Sequence, residues 1–471
     1  MPKVVKDSLF TKDISRREIL KLFGGVVAAS MLDGLIPRWA LSATIKRPNI
    51  IFILSDDHRW DHMSCMGHPF LKTPNLDRLA SQGVMFDNAF VTTSLCSPSR
   101  ASFLTGQYAH IHGVKNNITP WNNENVTFLE QLKRAGYDTA FIGKWHMPGK
   151  GLPDLRGLDR FISFTIQRGQ GRYFNCPLIV DGVDTPSRKE YITEELTDYA
   201  LEFVKQKRDN PFCLYLSLKA VHHRWLPPKD LKGIYSKVED LHFPPEADNW
   251  IGLTDNQIYY GTFGSLDKLY RGYCETIVAM DRELGRVLNT LDSLGLTDNT
   301  VVIYASDNGI YWGEHRLVDK RFAYEEAIRI PFIVRWPGLI KDPGGRLPQM
   351  VLNIDLAPTI LELAGVTIPE NMQGKSIVPL LASKDVSWRR AWLYEYFLDF
   401  PYIVPGIYAI RTEDYKYIEY QSKRYPPEVY NISLDPKEKN NLYEKDEAKK
   451  ILPILQQELI RLKKETGVLD M

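Results

Sequence analysis

The run NIIFILS at residues 49–55, followed at once by Asp56 and Asp57, determines the class of fold. It is continuously apolar and rich in isoleucine, as expected of a strand that is buried on both faces of a parallel sheet. Similar runs recur along the chain, at 139–143, 212–218, 300–306 and 331–336. Residues 275–294 keep the three-and-four apolar spacing of a helix, with Gly295 as a stop. This alternation predicts an α/β fold with a mostly parallel central sheet.

Polar clusters lie at or shortly after the ends of four of these runs. The clusters are Asp56-Asp57-His58, Lys144-Trp145-His146, His222-His223 and Asp307-Asn308-Gly309. In open parallel sheets, ligands bind beyond the carboxyl ends of the strands, where successive loops converge. The sequence therefore predicts that all four clusters surround one site.

Asp56, Asp57, Asp307 and Asn308 supply oxygen donors at the ends of two predicted strands. Hard oxygen donors without paired imidazoles favour calcium or magnesium over zinc. A single Asp-Asp pair is more often a solvated turn or a helix cap. Two such clusters at the ends of two strands of one sheet predict a metal site.

Basic side chains should reach the same edge of the sheet. They are Arg100, Lys144 and Lys320, together with His146 and His222. Fixed positive charges beside a divalent cation suit a tetrahedral oxyanion, such as a sulfate or phosphate ester. Any one of these residues alone is more simply explained as a surface charge or as a histidine with ordinary hydrogen-bond partners. The prediction therefore depends on all five residues together.

Cys96 precedes Pro98 and Arg100 at the start of a predicted helix that runs through Ala101 to Thr105. Helix N-termini lower thiol pKa values, so a thiolate nucleophile is chemically conceivable here. A soft thiolate beside a hard metal ion is nevertheless a poor match. The residues alone leave the role of Cys96 open.

Two stretches of the sequence resemble sulfatase signatures. CSPSRASFLTG at 96–106 resembles the first, Cys-x-Pro-Ser-Arg followed by Thr-Gly, and GYDTAFIGKWH at 136–146 resembles the second, with its Gly-Lys-x-His core. ASDNG, GEHRLVDKRFAYEEAIRIPFIVRWPG and NIDLAPTILELAG are typical of the same formylglycine-dependent family. The resemblance implies an alkaline-phosphatase-like α/β/α sandwich with a small antiparallel α+β subdomain at the C-terminus.

The resemblance assigns a specific chemistry to Cys96. It implies that a formylglycine-generating or anaerobic sulfatase-maturating enzyme oxidises Cys96 to formylglycine (3-oxoalanine), whose hydrated form is the nucleophile. Arg100 would hold the formylglycine and the metal ligands in place. The resemblance also implies one calcium ion, with ligands at Asp56, Asp57, Cys96, Asp307 and Asn308.

The remaining predicted site residues receive their roles from the same resemblance. Lys144 and Lys320 would bind sulfate oxygens. His146 would hydrogen-bond the second hydroxyl of the hydrated aldehyde, and His222 would protonate the leaving alcohol. The adjacent His223 stays open as an alternative for this acid.

The implied reaction is the hydrolysis of sulfate esters, by S–O cleavage, on a sulfated carbohydrate. It would be exo-acting in polysaccharide or glycosaminoglycan degradation. The runs at 319–338 and 395–420 resemble bacterial glucosamine-6-sulfatase-like members. Glycosaminoglycan, mucin, ulvan and carrageenan stay open as substrates. Two alternative functions also remain: a phosphate or phosphonate monoester hydrolase of the same superfamily, and a catalytically inactive protein that binds sulfated glycans.

Charge and the N-terminus limit the partners and the location. The 471 residues carry 59 basic and 58 acidic side chains, so bulk charge predicts no nucleic-acid partner. Residues 1–43, with Arg16 and Arg17 ahead of an apolar run, resemble a twin-arginine export signal, which predicts a periplasmic or secreted protein without a membrane span. The expected domains are the export signal, a sulfatase catalytic domain at 44–384 and a C-terminal subdomain at 385–471.

Overall fold

A computed structural model places the run at 49–55 in the middle of a sheet, as strand β1 (Asn49–Ser55). The structure describes residues 47–149, 157–164, 169–245, 265–382, 386–402 and 404–468. All of β1 is buried, as expected for a strand covered on both faces. The predicted export signal at 1–43 and the predicted boundary between 384 and 385 lie outside the described residues.

The described strands and helices are numbered in chain order. The other strands are β2 Val84–Phe90, β3 Asp138–Gly143, β4 Arg160–Phe164, β5 Leu178–Val180, β6 Val183–Thr185, β7 Phe212–Ser217, β8 Thr300–Ser306, β9 Tyr311–Trp312, β10 Val318–Asp319, β11 Phe332–Arg335, β12 Gly345–Leu352, β13 Ala391–Tyr396, β14 Ile407–Thr412, β15 Tyr415–Tyr420 and β16 Glu428–Asn431. The α-helices are α1 Pro74–Ser81, α2 Cys96–Thr105, α3 Ala109–His112, α4 Phe128–Arg134, α5 Ile192–Val204, α6 Leu266–Ser293, α7 Glu325–Ile328, α8 Leu356–Leu363, α9 Val378–Ala382 and α10 Ala448–Thr466.

The central sheet has ten strands in the order β12-β2-β11-β8-β1-β7-β3-β4-β5-β6. Its middle strands, from β8 to β4, are all parallel. Two large apolar clusters lie on its two faces, one of them including α5 and α6 and the other α4 and α8. The predicted α/β fold with a mostly parallel sheet is therefore confirmed.

The sheet departs from the predicted pattern at both sides. Beyond β3, the strands β4, β5 and β6 were not predicted, and β5 is antiparallel to β4 and to β6. β11, formed by the apolar run at 331–336, is antiparallel to both of its neighbours, β8 and β2. The sequence does not show whether such a strand is parallel or antiparallel to its neighbours, because a central strand is buried on both faces in either case. β2 and β12 extend the sheet beyond β11 and were not predicted.

Helix α6 begins earlier than the predicted range of 275–294. Ser265 caps its N-terminus by accepting a hydrogen bond from the Lys268 backbone N–H, so the helix starts at Leu266. The predicted start of the helix was therefore too late in the chain. Residues 246–264, ahead of the helix, lie outside the described residues.

The C-terminal part forms a separate antiparallel sheet, β13-β14-β15-β16, as predicted. Glu413 and Asp414 make the turn between β14 and β15. Leu455, Leu459 and Leu462 of α10 are buried in the apolar cluster shared with this sheet. Among the described helices, none combines the length and the apolar character needed to cross a membrane.

Candidate active site

The loops after four parallel strands meet at the carboxyl edge of the sheet. Asp56 and Asp57 follow β1, and the Asp57 backbone N–H donates to Asp307 Oδ1, after β8, at 3.0 Å. The Asp56 backbone N–H donates to the Ala220 carbonyl, in the loop after β7, at 2.9 Å. Lys144, directly after β3, donates from Nζ to Asp56. The structure thus brings together the four clusters that the sequence placed at strand ends.

The predicted metal ligands form a buried group of oxygen donors. Ligand atoms of Asp56, Asp57 and Asp307 all lie within 4.8 Å of one another, and each residue is at most 1% exposed. Asn308 donates from Nδ2 to Asp57 Oδ1 at 2.6 Å. Its own Oδ1 is buried and has no hydrogen-bond partner among the described residues. An unpaired amide oxygen beside three carboxylates fits a hard divalent cation such as calcium.

Burial acts on Asp57 together with its acidic neighbours. Burial, together with the nearby charges of Asp56 and Asp307, raises the pKa of Asp57 to about 7 against the opposing effect of Lys320. Like charges in a low-dielectric site disfavour the ionised form. A divalent cation among these carboxylates would relieve that repulsion.

Cys96 is the first residue of α2 and is fully buried. Its Sγ lies 3.7 Å from Asp56 Oδ1 and 3.3 Å from Lys320 Nζ. Burial raises the pKa of the Cys96 thiol to about 12, despite the nearby charges of Lys144 and Lys320. Because the thiolate is the nucleophilic form, such a thiol is a poor nucleophile at neutral pH. The structure therefore adds a second physical objection to a thiolate at this position.

Arg100 connects the ends of three strands. Its Nε and Nη2 lie 2.9 and 2.8 Å from Asp307 Oδ2, which follows β8. Its Nη1 donates to Ser217 Oγ at 2.6 Å and to the Lys144 carbonyl at 3.0 Å. Ser217 did not emerge from the sequence, although its position as the last residue of β7 is the same signal that located the other site residues.

Two lysines face the predicted metal ligands. Lys144 pairs with Asp56, and Lys320 pairs with Asp57. Lys144 is fully buried and Lys320 is 5% exposed. Both ammonium groups thus lie beside the predicted metal ligands.

The histidines lie at the rim of this group. Ser97 donates from Oγ to the His146 carbonyl at 2.6 Å, so His146 sits against the start of α2. His222 Nε2 lies 3.9 Å from Asp57 Oδ2. The His223 ring packs edge-on against Trp225, with centroids 5.2 Å apart. This geometry favours His222 over His223 as the histidine that serves the site.

Comparison with known proteins identifies the family of the chain and agrees with its fold. The sulfatase family model matches residues 48–366, and the model for the C-terminal part of N-sulphoglucosamine sulphohydrolase matches residues 313–465. The chain belongs to the sulfatase family and has its alkaline-phosphatase-like fold. It is a sulfuric ester hydrolase.

Within that family, several relatives act on carbohydrates. An N-acetylglucosamine-6-O-sulfatase of Bacteroides thetaiotaomicron is 34% identical, with 89% of this chain and 86% of the relative covered. An ulvan-active sulfatase of Formosa agariphila is 29% identical, with 85% and 78% covered. A solved structure of a protein in complex with its substrate D-glucosamine-2-N,6-O-disulfate has a TM-score of 0.82 at 32% identity, covering 90% of this chain and 99% of that one.

Proposed function

We propose that this chain removes the 6-O-sulfate from a glucosamine residue at the end of a sulfated saccharide of the glycosaminoglycan type. The observation that carries the proposal is the similarity to an N-acetylglucosamine-6-O-sulfatase over almost the whole chain. The related structure with a bound 6-O-sulfated glucosamine supports it. The deep burial of Cys96, Asp56 and Lys144 supports exo action, because a chain terminus reaches such a site more easily than a chain interior does.

The proposal includes one calcium ion. Asp56, Asp57, Asp307 and Asn308 would hold it together with the residue at position 96, and the unpaired Asn308 Oδ1 supports this ligand set. When bound, the ion supplies a positive charge that polarises sulfate oxygens and lowers the pKa of a neighbouring hydroxyl. Arg100 would keep Asp307 in place through its two-nitrogen contact.

The proposal also includes formylglycine at position 96, which would supply the oxygen nucleophile. The first residue of α2 suits this role, because the N-terminus of a helix favours negative charge. Cys96 is fully buried in the folded chain. A formylglycine-generating or anaerobic sulfatase-maturating enzyme would therefore act on it before folding is complete.

The chain's own side chains would bind and orient the ester. Lys144 and Lys320 would bind sulfate oxygens as fixed cations in a site that excludes most water. His222 would donate a proton from Nε2 to the departing sugar oxygen, as a general acid. His146, held against Ser97, would hydrogen-bond the reacting oxygen at position 96.

The substrate is tested with a pair of epimers. Protein produced with a maturating enzyme should release sulfate from N-acetylglucosamine 6-sulfate with a kcat/KM at least about 10-fold above that for N-acetylgalactosamine 6-sulfate, which differs only at C4. Cys96→Ala should release no sulfate from either. Equal rates, or a preference for the galactosamine epimer, would overturn the proposed sugar.

The competing phosphate and phosphonate chemistry is tested separately. Matched aryl sulfates and aryl phosphates with the same phenol compare the two reactions directly. We expect the sulfate ester to be hydrolysed faster. Mass spectrometry of the peptide that contains Cys96 should find the aldehyde; a pool that carries only the thiol would contradict the proposed nucleophile.

We further propose that the chain is exported. The support is the twin-arginine pattern within residues 1–43. Fractionation of the native host should place the protein outside the cytoplasm, and replacing both Arg16 and Arg17 by lysine should retain it inside.

A further inference from the structure

The loop that carries His222 is bound to a predicted metal ligand through its backbone. The Val221 backbone N–H donates to the Asp56 carbonyl at 2.8 Å, and the Asp56 N–H donates to the Ala220 carbonyl at 2.9 Å. The His222 N–H donates to the Lys219 carbonyl at 2.9 Å. The backbone up to His222 is therefore fixed, but these bonds do not set the direction of its imidazole.

Within the described part of the chain, one hydrogen bond orients the imidazole. His222 Nδ1 lies 2.5 Å from the His223 carbonyl oxygen. A carbonyl only accepts, so Nδ1 carries a hydrogen and Nε2 is the nitrogen that faces the site. When the imidazole acts as an acid, it is doubly protonated and Nε2 carries the hydrogen that it donates. His222 Nε2 lies 3.9 Å from Asp57 Oδ2. The backbone carbonyls of His222 and His223, of which the second accepts the Nδ1 hydrogen, thus bear on where the acidic proton points.

Tyr173 fixes the first of these carbonyls from a distant part of the chain. Its hydroxyl donates to the His222 carbonyl at 2.8 Å, and the residue is 2% exposed. Its ring stacks on that of Tyr191, with centroids 5.7 Å apart, and its own carbonyl accepts from the N–H of Ile192 at the start of α5. The phenol is therefore held rigidly at its base and along its ring.

Lys219 acts on the second carbonyl. Its Nζ lies 3.5 Å from the His223 carbonyl oxygen and 5.2 Å from the centroid of the Tyr173 ring. Lys219 is 4% exposed, and burial lowers its pKa to about 8. Lys219 lies over the Tyr173 ring, and the two residues together hold the carbonyls of His222 and His223.

We propose that Tyr173, assisted by Lys219, is a positioning residue that aims the Nε2 proton of His222 at the leaving oxygen. This inference rests on the proposed function, in which His222 is the general acid. Tyr173 lies outside both sulfatase signatures and contacts the His222 backbone rather than the reacting atoms. Its loss should weaken proton transfer and leave sulfate binding intact.

The dependence of kcat on the leaving group distinguishes a role of Tyr173 in positioning the His222 proton from a general structural role. An acidic phenol departs readily without a proton, whereas a weakly acidic phenol or a sugar alcohol depends on the general acid. Tyr173→Phe removes one oxygen and keeps the ring. We expect Tyr173→Phe to lower kcat about 10-fold for the aryl sulfate with the least acidic phenol, and less than about twofold for 4-nitrophenyl sulfate.

Tyr191→Phe is the matched control, because it removes the same atom from the ring stacked on Tyr173. It should leave kcat unchanged across the series. His222→Ala is the reference, with a steeper dependence on the leaving group than Tyr173→Phe. In the His222→Ala background, Tyr173→Phe should have no further effect, since both changes act on one proton transfer. Lys219→Met should shift the series in the same direction as Tyr173→Phe.

The outcomes distinguish this inference from the proposed function. If His222→Ala shows no stronger dependence of kcat on the leaving group than the wild type, the assignment of His222 as the acid is wrong. If His222→Ala shows a stronger dependence, but Tyr173→Phe shows none or lowers kcat equally for every phenol, only the positioning role is wrong. Because aryl sulfates are used, neither result depends on which sugar is the natural substrate.

Discussion

The acidic and basic side chains of the site balance one another in charge. Three carboxylates face three basic side chains there, namely Asp56, Asp57, Asp307, Arg100, Lys144 and Lys320. Burial makes each of these charges expensive to leave unpaired. Lys144 and Lys320 would therefore be released toward sulfate oxygens only when a cation takes over the carboxylates that they pair with here. On this view, calcium and the anionic ester favour each other's binding.

Asn308→Ala tests whether one amide oxygen binds the proposed calcium ion. The Oδ1 of Asn308 is buried, and no described residue donates a hydrogen bond to it. Removing one ligand should weaken calcium binding by at least about 10-fold, which lowers the stabilisation by bound calcium by about 1.4 kcal/mol. Thermal unfolding after chelation, with and without added calcium, measures this difference.

The control for Asn308→Ala is Asn75→Ala. Asn75 donates from Nδ2 to Asp281, outside the site. This variant should unfold at a lower temperature in both conditions and keep the full increase on adding calcium. If Asn308→Ala also keeps that increase, the ligand set is wrong.

At the scale of elements, the end of β3 requires a residue without a side chain. Gly143 has φ of 121°, and a Cβ there would lie 1.8 Å from the Ser217 carbonyl oxygen. Lys144 is the next residue, and its N–H donates to that same carbonyl at 2.7 Å. A side chain at 143 must therefore push β3 away from β7 and displace Lys144.

Gly143→Ala should lower both stability and activity. We expect a loss of more than about 3 kcal/mol in the free energy of unfolding, together with a lower kcat, because strain and a backbone clash coincide. Gly136→Ala is the matched control: its φ is also positive, at 84°, but no atom of the described residues lies within 4 Å of the added Cβ. It should lose about 1 to 2 kcal/mol and keep its kcat. If the two variants lose kcat equally, the close approach of β3 and β7 at Gly143 does not determine the position of Lys144.

The sequence predicts buried strands better than partly exposed ones. β1, β7 and β8 are continuous apolar runs because both of their faces are covered. β2 was missed because Asp87 and Asn88 interrupt its apolar run on a less buried stretch. The direction of β11 was missed because period and composition do not depend on it.

The same limit applies to the candidate site. The acids, Lys144 and the histidines were found because they lie in the loops that follow predicted strands, where loops of a parallel sheet converge. Lys320 received its role from the family resemblance. Tyr173 was not found, because it acts on a backbone carbonyl 49 residues further along the chain, a contact that no motif encodes. Only the folded chain brings these two residues together.

For the whole molecule, buried ion pairs join the C-terminal sheet to the catalytic part. Glu325, shortly after Lys320, lies 2.9 Å from Lys416 Nζ and 3.0 Å from Arg411 Nε, both on the C-terminal sheet. Lys416 is fully buried and also pairs with Glu438 at 2.6 Å. Breaking such pairs leaves charges uncompensated. The C-terminal sheet therefore supports the segment that carries Lys320.

His110 makes a second connection of this kind. Its Nδ1 lies 2.7 Å from Glu395 Oε2 on β13, and its Nε2 lies 2.8 Å from the Thr466 carbonyl at the end of α10. Both partners accept, so the geometry fits the doubly protonated imidazolium. Burial alone would lower the pKa of His110, but the hydrogen bond and charge of Glu395 raise it above the usual 6.5.

This connection should make stability depend on pH with a defined sign. A raised histidine pKa contributes stability that is fully present below about pH 6.5 and is lost as the pH rises through the pKa of the folded state. His110→Gln should therefore lower the free energy of unfolding more at about pH 6 than at about pH 9, as measured by denaturant titration at both values. Glu395→Gln, which keeps the shape and removes the charge, should abolish most of that difference. Parallel pH curves for wild type and His110→Gln would show that the imidazolium does not join the two parts.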